Sequence, residues 1–409
     1  MQPLSDIRVL AVTVYLAGPF LSTNLARFGA EVIKVEVPGT GDSVRGIGPF
    51  AGPEGVHVKR QTDMDIATKF LKRTQGVKSI TLNLKDPEGR RLFLDLAKES
   101  DVVVENLAPG TMKRLGLGYA DVSAVNPGIV YCSISGYGQT GPYANDPAHD
   151  HQIQAMAGMM DINGQPDGPP TRVGIFVSDL VTPLYAAYSI MAALRHRDQT
   201  GEGQYLDASM MDTLATLMFM EPLEEALASG QPVRAGNDSR TSPTGLYRTR
   251  DADIIVTAAG AGQWTGLCKA LDAPELLADE RFSPGADRAK HMAELRAEIQ
   301  KRISKLTCAE AVARMKECDV PVAPIRTLAE VIADDHFYRR GTLKPMRHGA
   351  LGTTVKDHVV VGFPVVFSSG PLPDLPGAPT LGMHNEEIYG GVLGLDAARL
   401  ADLKKRRVI

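Results

Sequence analysis

The first 35 residues alternate strand and helix patterns, and this alternation constrains the fold more than any other feature of the chain. Ile7–Val14 is a short apolar run rich in β-branched residues, and the amphipathic stretch Phe20–Phe28 follows after a glycine–proline turn. Gly29 ends that helix, and Glu31–Val35 has the pattern of a second buried strand. A strand, a helix and a strand in this order form a right-handed βαβ unit, so we predict a parallel sheet. The turn lacks the GxGxxG fingerprint of dinucleotide-binding proteins.

The same alternation continues through residue 134. We predict strands at Ser79–Leu84, Asp101–Val104 and Ile129–Ile134, with helices at Pro87–Lys98 and Gly110–Leu115 between them. Ligands of open parallel sheets bind at the carboxyl ends of the strands, so residues that directly follow these strands are binding candidates. Later patterns predict helices at Gln154–Met160, Leu180–Leu194, Met210–Leu227, Cys308–Glu317 and Leu328–Ala333, and strands at Gly201–Ser209 and Val359–Phe367.

A change of composition near residue 222 indicates a second domain. Pro222–Arg240 is polar and contains glycine, and Leu246–Ala259 has the pattern of an antiparallel pair. At 409 residues the chain is also too long for one ordinary domain. We predict a large α/β domain interrupted by a smaller α/β domain, with the segments 1–221 (large), 222–328 (small) and 329–409 (return to the large domain and C-terminal tail).

The composition argues against several classes of protein. A net charge of −4 does not favour nucleic-acid binding, which normally requires a basic face. The N-terminal residues lack the regions of a signal peptide, and no uninterrupted apolar run approaches the ~20 residues that span a bilayer. We expect a cytoplasmic protein with no membrane and no nucleic-acid partner. We also expect no metal site, since there is no CxxC spacing among the cysteines Cys132, Cys268, Cys308 and Cys318.

The loop Gln165–Pro170 presents one carboxylate, that of Asp167, between prolines and a glycine. Its prolines fix φ near −65° and remove backbone donors, whereas Gly168 admits conformations that other residues avoid. The segment therefore forms a stiff turn with an acid at its tip. From local chemistry alone, both a solvated surface turn and a functional loop remain open.

A series of short motifs along nearly the whole chain resembles the class III CoA-transferases, the family of formyl-CoA transferase and carnitine CoA-transferase. In chain order the motifs are Ala17-Gly18-Pro19, Gly29–Glu36, Gly41-Asp42, Val104-Glu105-Asn106, Pro109-Gly110, Ser135–Gly138, Asp167–Pro170, Arg195-His196, Gly201–Gln204 and Gly382-Met383-His384. No single motif is specific, but their order is. The resemblance implies a Rossmann-like large domain and two subunits interlocked as rings in a dimer.

The resemblance also implies an activity, the transfer of CoA from an acyl-CoA to a carboxylic acid with no tightly bound cofactor. Asp167 matches the family's nucleophile, which forms an acyl-aspartyl anhydride and then an aspartyl-CoA thioester. Family members commonly use succinyl-CoA and a substituted dicarboxylate. The methionines Met156, Met159 and Met160 suggest an apolar acceptor such as benzylsuccinate.

The family pattern further implies CoA contacts near the strand ends. Matched by motif, the candidate residues are Tyr15, Leu16, Leu82, Lys85, Asn106, Leu107, Arg114 and Tyr137. The chain departs from formyl-CoA transferase at Val37 and Ser135, where that enzyme has basic residues. The CoA phosphates would then need other cations, for which Arg45, Lys72 and Arg73 are candidates. The flexible glycine loop of formyl-CoA transferase has no counterpart here.

Two other functions remain open. The α-methylacyl-CoA racemases share the fold and use a histidine–aspartate pair and a second aspartate, matched here by His149-Asp150 and by Asp179. His149 and Asp179 could act as the two bases that a racemase needs. In a transferase these residues and Tyr137 would support the site. The third reading is a subunit of a heteromeric transferase, beside the alternative of a homodimer.

Overall fold

The computed structural model describes residues 1–230 and 233–409. The chain forms two compact units. The first and larger unit contains Met1–Met159, Val173–Glu221 and Asp334–Ile409, and the second contains Met160–Arg172 and Pro222–Ala333. The division differs from the predicted boundaries in two places. Residues 160–172 belong to the second unit although they were predicted within 1–221, and the return to the first unit comes at residue 334 and not at 329.

The strands of the described residues lie in four sheets. In chain order they are β1 Arg8–Val12, β2 Glu31–Glu36, β3 Phe50–Gly52, β4 Gly55–His57, β5 Ile66–Ala67, β6 Lys78–Thr81, β7 Val102–Glu105, β8 Val130–Ser135, β9 Gln204–Ser209, β10 Gly245–Arg248, β11 Asp253–Val256, β12 Val322–Pro324, β13 Leu343–Arg347 and β14 Thr354–Val361.

The helices vary from single turns to a helix of 24 residues. In chain order they are α1 Ala17–Arg27, α2 Thr68–Arg73, α3 Pro87–Lys98, α4 Thr111–Arg114, α5 Tyr119–Val125, α6 Asp150–Met156, α7 Met159–Ile162, α8 Val177–Thr200, α9 Met210–Met218, α10 Leu223–Ala228, α11 Ala261–Ala270, α12 Pro274–Ala278, α13 Ala286–Lys290, α14 Met292–Ile303, α15 Cys308–Glu317, α16 Leu328–Ala333, α17 Asp335–Arg339 and α18 Ala397–Lys405. Short 3₁₀ helices occur at Ser43–Gly46 and Glu280–Phe282, and a π-helical turn occurs at Glu386–Gly390.

A six-stranded parallel sheet organises the first unit, with the order β6-β2-β1-β7-β8-β9. Both of its faces are covered. Val9 and Ala11 of β1 pack into the core that contains α1 and α8, and Leu10 and Val12 pack into the core that contains α3. A strand that is buried on both faces requires a continuous apolar run, which explains the sequence of β1. The prediction of a parallel α/β sheet is confirmed.

Helix α8 is long enough and apolar enough to cross a membrane when judged by length and composition alone. In this unit it packs against α1, α9 and the strands β8 and β9. Its buried face consists mainly of small and aliphatic side chains, including Ala186, Ile190 and Ala193. It is therefore a core helix of the first unit.

The second unit contains a three-stranded antiparallel sheet, β10-β11-β12, and the helices α11 to α15. Trp264, Leu267, Leu295, Ile299 and Met315 are among its most deeply buried side chains. The predicted antiparallel pair within Leu246–Ala259 corresponds to β10 and β11.

Three predicted elements have different bounds in the structure. The helix predicted over Met210–Leu227 ends at Met218, since residue 221 precedes Pro222 and a residue before proline avoids helical conformation. The helix predicted over Gln154–Met160 is split into α6 and α7 at Gly158, whose φ is +88°. The strand predicted over Val359–Phe367 is instead β14, which ends at Val361 before a glycine and a proline-containing segment.

Candidate active site

A pocket of about 640 Å³ opens in the first unit at the carboxyl ends of β1, β7 and β8. The strand order reverses between β1 and β7, which are neighbours in the sheet. From β1 the chain continues to β2 on one side, whereas from β7 it continues to β8 on the opposite side. The loops after these two strands consequently diverge, and such a point is where open α/β sheets bind ligands. The pocket is lined mainly by the loops 14–17, 106–109 and 134–137 and by the start of α6.

Tyr15 forms a strained turn at the edge of this pocket. Its φ of +64° lies in the left-handed region, which costs a residue with a side chain roughly 1–3 kcal/mol. Two contacts hold the turn: the Tyr15 N–H donates to Asp42 Oδ1 at 3.3 Å, and its carbonyl accepts from Arg73 Nη1 at 3.1 Å. The Tyr15 side chain is 46% exposed and lines the pocket. Strain of this kind is characteristic of functional sites.

Asn106 joins the loop after β7 to the loop after β1. Its side-chain oxygen accepts from the Val14 N–H at 2.8 Å, and its Nδ2 donates to the Val14 carbonyl at 3.0 Å. The two loops approach so closely that a Cβ at Gly18 would lie 2.6 Å from Asn106 Oδ1 and from Thr13. Glycine is therefore required at this position, and Asn106 fixes the backbone that carries Tyr15.

A buried ionic network lies beneath the Tyr15 turn. Lys34 is fully buried and its ammonium group contacts Asp42 Oδ2 at 2.9 Å. Glu36 accepts two hydrogen bonds from the Arg45 guanidinium, both of 2.7 Å. Burial acts to raise the pKa of Glu36, but the hydrogen bonds and charge of Arg45 outweigh it and lower that pKa. Arg45 also stacks on Phe70, so it is committed to the scaffold and is not free to bind a CoA phosphate.

His149 and Asp150 play different parts. Asp150 is 1% exposed, and its Oδ1 accepts from the Ser178 N–H and from the Ser178 hydroxyl, each at 2.8 Å. Its Oδ2 accepts from Gln154 Nε2 at 2.6 Å, so the carboxylate ties α6 to the start of α8. His149 is exposed and lines the pocket, where its ring meets the Tyr15 ring edge-on with the centroids 6.1 Å apart.

Asp179 and Arg73 supply opposite charges to the same pocket. Burial and the negative charge of Asp150 raise the pKa of Asp179 to about 6, against the opposing effect of Arg73. Burial lowers the pKa of Arg73, whereas the charges of Asp179 and Asp42 act in the other direction. The pocket thus contains an acid with a raised pKa beside a partly buried cation.

Two further groups give the pocket unused binding capacity. The Ser135 hydroxyl is buried and has no hydrogen-bond partner among the described residues, so a polar ligand atom could satisfy it. Lys69 lines the pocket one helical turn before Arg73 on α2. Arg73 but not Lys69 was named from the sequence as a candidate for the CoA phosphates, although the spacing of four residues places both side chains on one helix face.

Asp167 lies in the second unit, and its side chain is exposed. The loop that carries it is closed at its base, where the Thr171 N–H donates to the carbonyls of Met160 and Asn163 at 3.1 and 3.2 Å. Asn163 Nδ2 returns a bond of 2.9 Å to the Thr171 carbonyl. At the tip, the Gly168 N–H donates to the Gln165 carbonyl at 3.0 Å. The loop is a tied turn that displays one carboxylate.

The comparison with protein families identifies the class of enzyme to which the chain belongs. The model of CoA-transferase family III matches residues 4–385. The chain belongs to CoA-transferase family III. The resemblance inferred from the ordered motifs is confirmed, and the protein is a CoA-transferase.

Curated relatives of this CoA-transferase cover its whole length. The succinyl-CoA–D-citramalate CoA-transferase of Chloroflexus aurantiacus is 37% identical over 100% of this chain and 98% of its own. The succinyl-CoA:glutarate CoA-transferase of Mus musculus is 34% identical over 98% of this chain and 89% of its own. The beta subunit of a succinyl-CoA–L-malate CoA-transferase from Chloroflexus aurantiacus is 32% identical over 100% of this chain and 98% of its own. The activities in these names are those of transferases and not of racemases.

A solved structure agrees with the fold of the CoA-transferase. A CAIB/BAIF family protein from Brucella suis superposes with a TM-score of 0.81 and 33% sequence identity, over 95% of this chain and 99% of that one. The mixed α/β architecture with a central parallel sheet is therefore shared with a family member.

The pocket of the CoA-transferase brings together most, but not all, of the residues that the sequence suggested. Its lining includes Tyr15, Leu16, Asn106, Leu107, Tyr137, Ser135, Arg73, His149, Asp150 and Asp179. It does not include Leu82, which is buried at the end of β6, or Lys85 and Lys72, which are exposed. Arg114 lines a separate pocket of about 460 Å³ and bonds the Thr111 hydroxyl at 2.9 Å. Val37 is exposed outside the lining.

Proposed function

We propose that this CoA-transferase moves CoA from succinyl-CoA to a dicarboxylic acid and that Asp167 is its nucleophile. The observation that carries the proposal is the exposed carboxylate on a tied, proline-rich loop in a chain of this family. The names of the relatives, which act on succinyl-CoA and on glutarate or D-citramalate, support the substrate class.

The proposed chemistry uses one carboxylate for a series of matched exchanges. Asp167 attacks the thioester carbon of succinyl-CoA and the C–S bond breaks. CoA departs as the thiolate, and the product is a succinyl-aspartyl anhydride. The thiolate attacks the aspartyl carbonyl and releases succinate, which yields an aspartyl-CoA thioester. The acceptor carboxylate then reverses both steps and regenerates Asp167. Each step exchanges similar bonds, so covalent catalysis divides the transfer into steps of comparable energy.

The pocket of the first unit is the proposed binding site for the acyl-CoA. Tyr15, Leu16, Asn106, Leu107 and Tyr137 line it at the strand ends. The free Ser135 hydroxyl and the cations Lys69 and Arg73 offer polar partners for a carboxylate or a phosphate of the substrates. His149 and Asp179 would orient these groups and do not need to exchange an α-proton.

A short dicarboxylate is a better proposal for the acceptor than benzylsuccinate. The aromatic acceptor was suggested by Met156, Met159 and Met160, but none of the three is among the residues that line the pocket. The curated relatives described above are named for glutarate, D-citramalate and L-malate. A panel of acceptors with succinyl-CoA as donor tests this choice: faster turnover of benzylsuccinate than of glutarate or citramalate would reverse it.

Intact-protein mass spectrometry after mixing with succinyl-CoA tests the nucleophile. We expect wild type to gain a CoA-sized adduct, or a hydroxamate at Asp167 when hydroxylamine is present, and Asp167→Ala to gain neither. Asp63→Ala, which removes an exposed carboxylate elsewhere, should react as wild type does. If no acyl-CoA yields an adduct while the α-proton of a branched acyl-CoA exchanges with deuterium, the racemase reading with His149 and Asp179 replaces this proposal.

The assembly that we propose is a dimer of interlocked subunits, formed by two copies of this chain or by this chain and a homologous subunit. The similarity to a beta subunit of another transferase keeps the heteromer as an alternative. Native mass spectrometry of the purified chain distinguishes them. A stable, active homodimer is expected, whereas an inactive monomer that gains activity with a homologous subunit would establish the heteromer.

A further inference from the structure

We infer that Arg234 is a positioning residue that holds the Asp167 loop in its working conformation. The inference rests on the proposed role of Asp167 as nucleophile. Arg234 is distant in sequence from that loop, and none of the family motifs identified in the chain includes it.

The Arg234 guanidinium connects the tip of the loop to Asp161 of α7, which precedes the loop, within the second unit. Its Nη1 donates to the carbonyl of Gly168, the residue that follows Asp167. Its Nε donates to the Asp161 carbonyl at 2.9 Å, and its Nη2 meets Asp161 Oδ1 at 3.3 Å. The Arg234 side chain is only 13% exposed, so it fills the space between these groups. One rigid, planar group therefore fixes the distance between α7 and the tip of the loop.

The prolines limit how the loop can hold its tip, near which the Thr171 hydroxyl donates to the Pro169 carbonyl at 3.0 Å. Pro166, Pro169 and Pro170 have no N–H to donate, and the bond from Gly168 N–H to Gln165 is the backbone contact described at the tip. The Gly168 carbonyl would lose its charged partner without Arg234. A lysine could reach one of the acceptors, but it lacks the fork of donors that joins both ends at once.

The segment that carries Arg234 is itself fixed against the loop. Arg240 Nη2 donates to the Arg234 carbonyl at 3.1 Å. Two residues after Arg234, Gly236 has a φ of +63°, and a Cβ there would lie 2.8 Å from Gln165 Oε1. The chain at Gly236 thus contacts the residue that begins the Asp167 turn, and the arginine approaches the loop from a backbone with little freedom to move.

This arrangement predicts a specific kinetic effect. Arg234 contacts the backbone beside the nucleophile, so its loss should leave substrate binding largely intact and lower the rate of the covalent steps. A displacement of about 1 Å in a reacting group can reduce the rate by about 100-fold. We therefore expect Arg234→Gln to lower kcat by about 100-fold with little change in KM for succinyl-CoA.

The experiment compares Arg234→Gln, Arg234→Lys and Asp161→Asn with the matched control Arg248→Gln, which removes an exposed arginine from the same unit. We expect single-turnover formation of the Asp167 adduct to slow in Arg234→Gln, to recover only in part in Arg234→Lys, and to stay normal in the control. Added guanidinium ion should accelerate Arg234→Gln and leave wild type unchanged. Asp161→Asn should slow the adduct step less than Arg234→Gln does, because it preserves the bond to Gly168.

Thermal unfolding of every variant separates positioning from folding. Wild-type kcat in Arg234→Gln would overturn the inference, and so would a loss of activity that only follows the unfolded fraction, with no rescue by guanidinium. If Arg234→Gln does not fold, Arg234→Lys decides the matter by the same adduct rate, and a wild-type rate in that variant overturns the inference. Asp167→Ala is measured alongside. If it remains active, the proposed function fails, whereas an inactive Asp167→Ala with a fully active Arg234→Gln refutes only the role of Arg234.

Discussion

Glu105 is the last residue of β7, and its side chain is buried beside the pocket loop that carries Asn106 and Leu107. Burial raises its pKa to about 7; hydrogen bonds from Ser133 and from the Leu107 N–H oppose the rise, and the charge of Asp207 adds to it. The folded protein therefore holds this proton more tightly than the unfolded chain, where the pKa is near 4.5. The stability gained is fully present below about pH 4.5 and is lost as the pH rises through about 7.

Glu105→Gln should therefore flatten the dependence of stability on pH. Between pH 4.5 and pH 8 the wild-type protein is expected to lose up to about 3 kcal/mol of unfolding free energy through this group, and the amide variant should keep it. Urea unfolding across that range measures the difference. Glu99→Gln, at an exposed site, should retain the wild-type slope. Equal slopes in wild type and Glu105→Gln would show that the buried acid does not titrate in this way.

At the scale of elements, the pocket depends on the contact between the loops after β1 and β7. Asn106 makes this contact with two hydrogen bonds to Val14. Asn126 makes comparable bonds at the other end of the same domain core: it donates to the carbonyls of Ala97 and Ser100 and accepts from the Gly128 N–H. The two asparagines are thus chemically alike, but only Asn106 lines the pocket.

Asn106→Ala and Asn126→Ala should separate stability from binding. Asn106→Ala loses two hydrogen bonds to the backbone and Asn126→Ala loses three, so we expect each to destabilise the protein by about 1–3 kcal/mol. Only Asn106→Ala releases the Tyr15 turn, and we expect it alone to raise KM for succinyl-CoA, by about tenfold. Steady-state kinetics with both variants, at a temperature where both are folded, gives the comparison. A similar KM in the two variants would mean that the turn does not shape the binding site.

At the scale of the whole molecule, the order of the elements could be predicted because the local signals agree with the fold. Pro87–Lys98 was predicted with its bounds, since Asp86 caps the helix and Pro87 occupies its first turn. Cys308–Glu317 was predicted equally well, because Thr307 and Glu310 form a capping box. The helix predicted over Met210–Leu227 was too long because Phe219 and Met220 continue the apolar pattern past its real end, although Pro222 follows shortly afterwards.

The candidate site was less predictable because it depends on contacts between distant residues. Asp167 was proposed from its motif, but its membership of the second unit was not predicted, since Arg234 and Gly168 are 66 positions apart. Arg45 was expected to be available for a phosphate, whereas its pairing with Glu36 and its contact with the Pro379 carbonyl commit it to the scaffold. Neither the contact of Arg234 with Gly168 nor the contacts of Arg45 with Glu36 and Pro379 produce a periodic pattern in the sequence.

The second unit is assembled from two separate stretches, Met160–Arg172 and Pro222–Ala333, so the chain passes between the units four times, at 159/160, 172/173, 221/222 and 333/334. The Asp167 loop and Arg234, which contacts it, are thus encoded apart, with α8, β9 and α9 between them. Consider a chimera in which residues 222–333 of this protein are replaced by the same segment of a relative. Its Asp161 and Asp167 would come from this protein, whereas the residue in the place of Arg234 would come from the relative. Both stretches have to be inherited together, because recombination within the intervening segment would separate Asp167 from the arginine that contacts its loop.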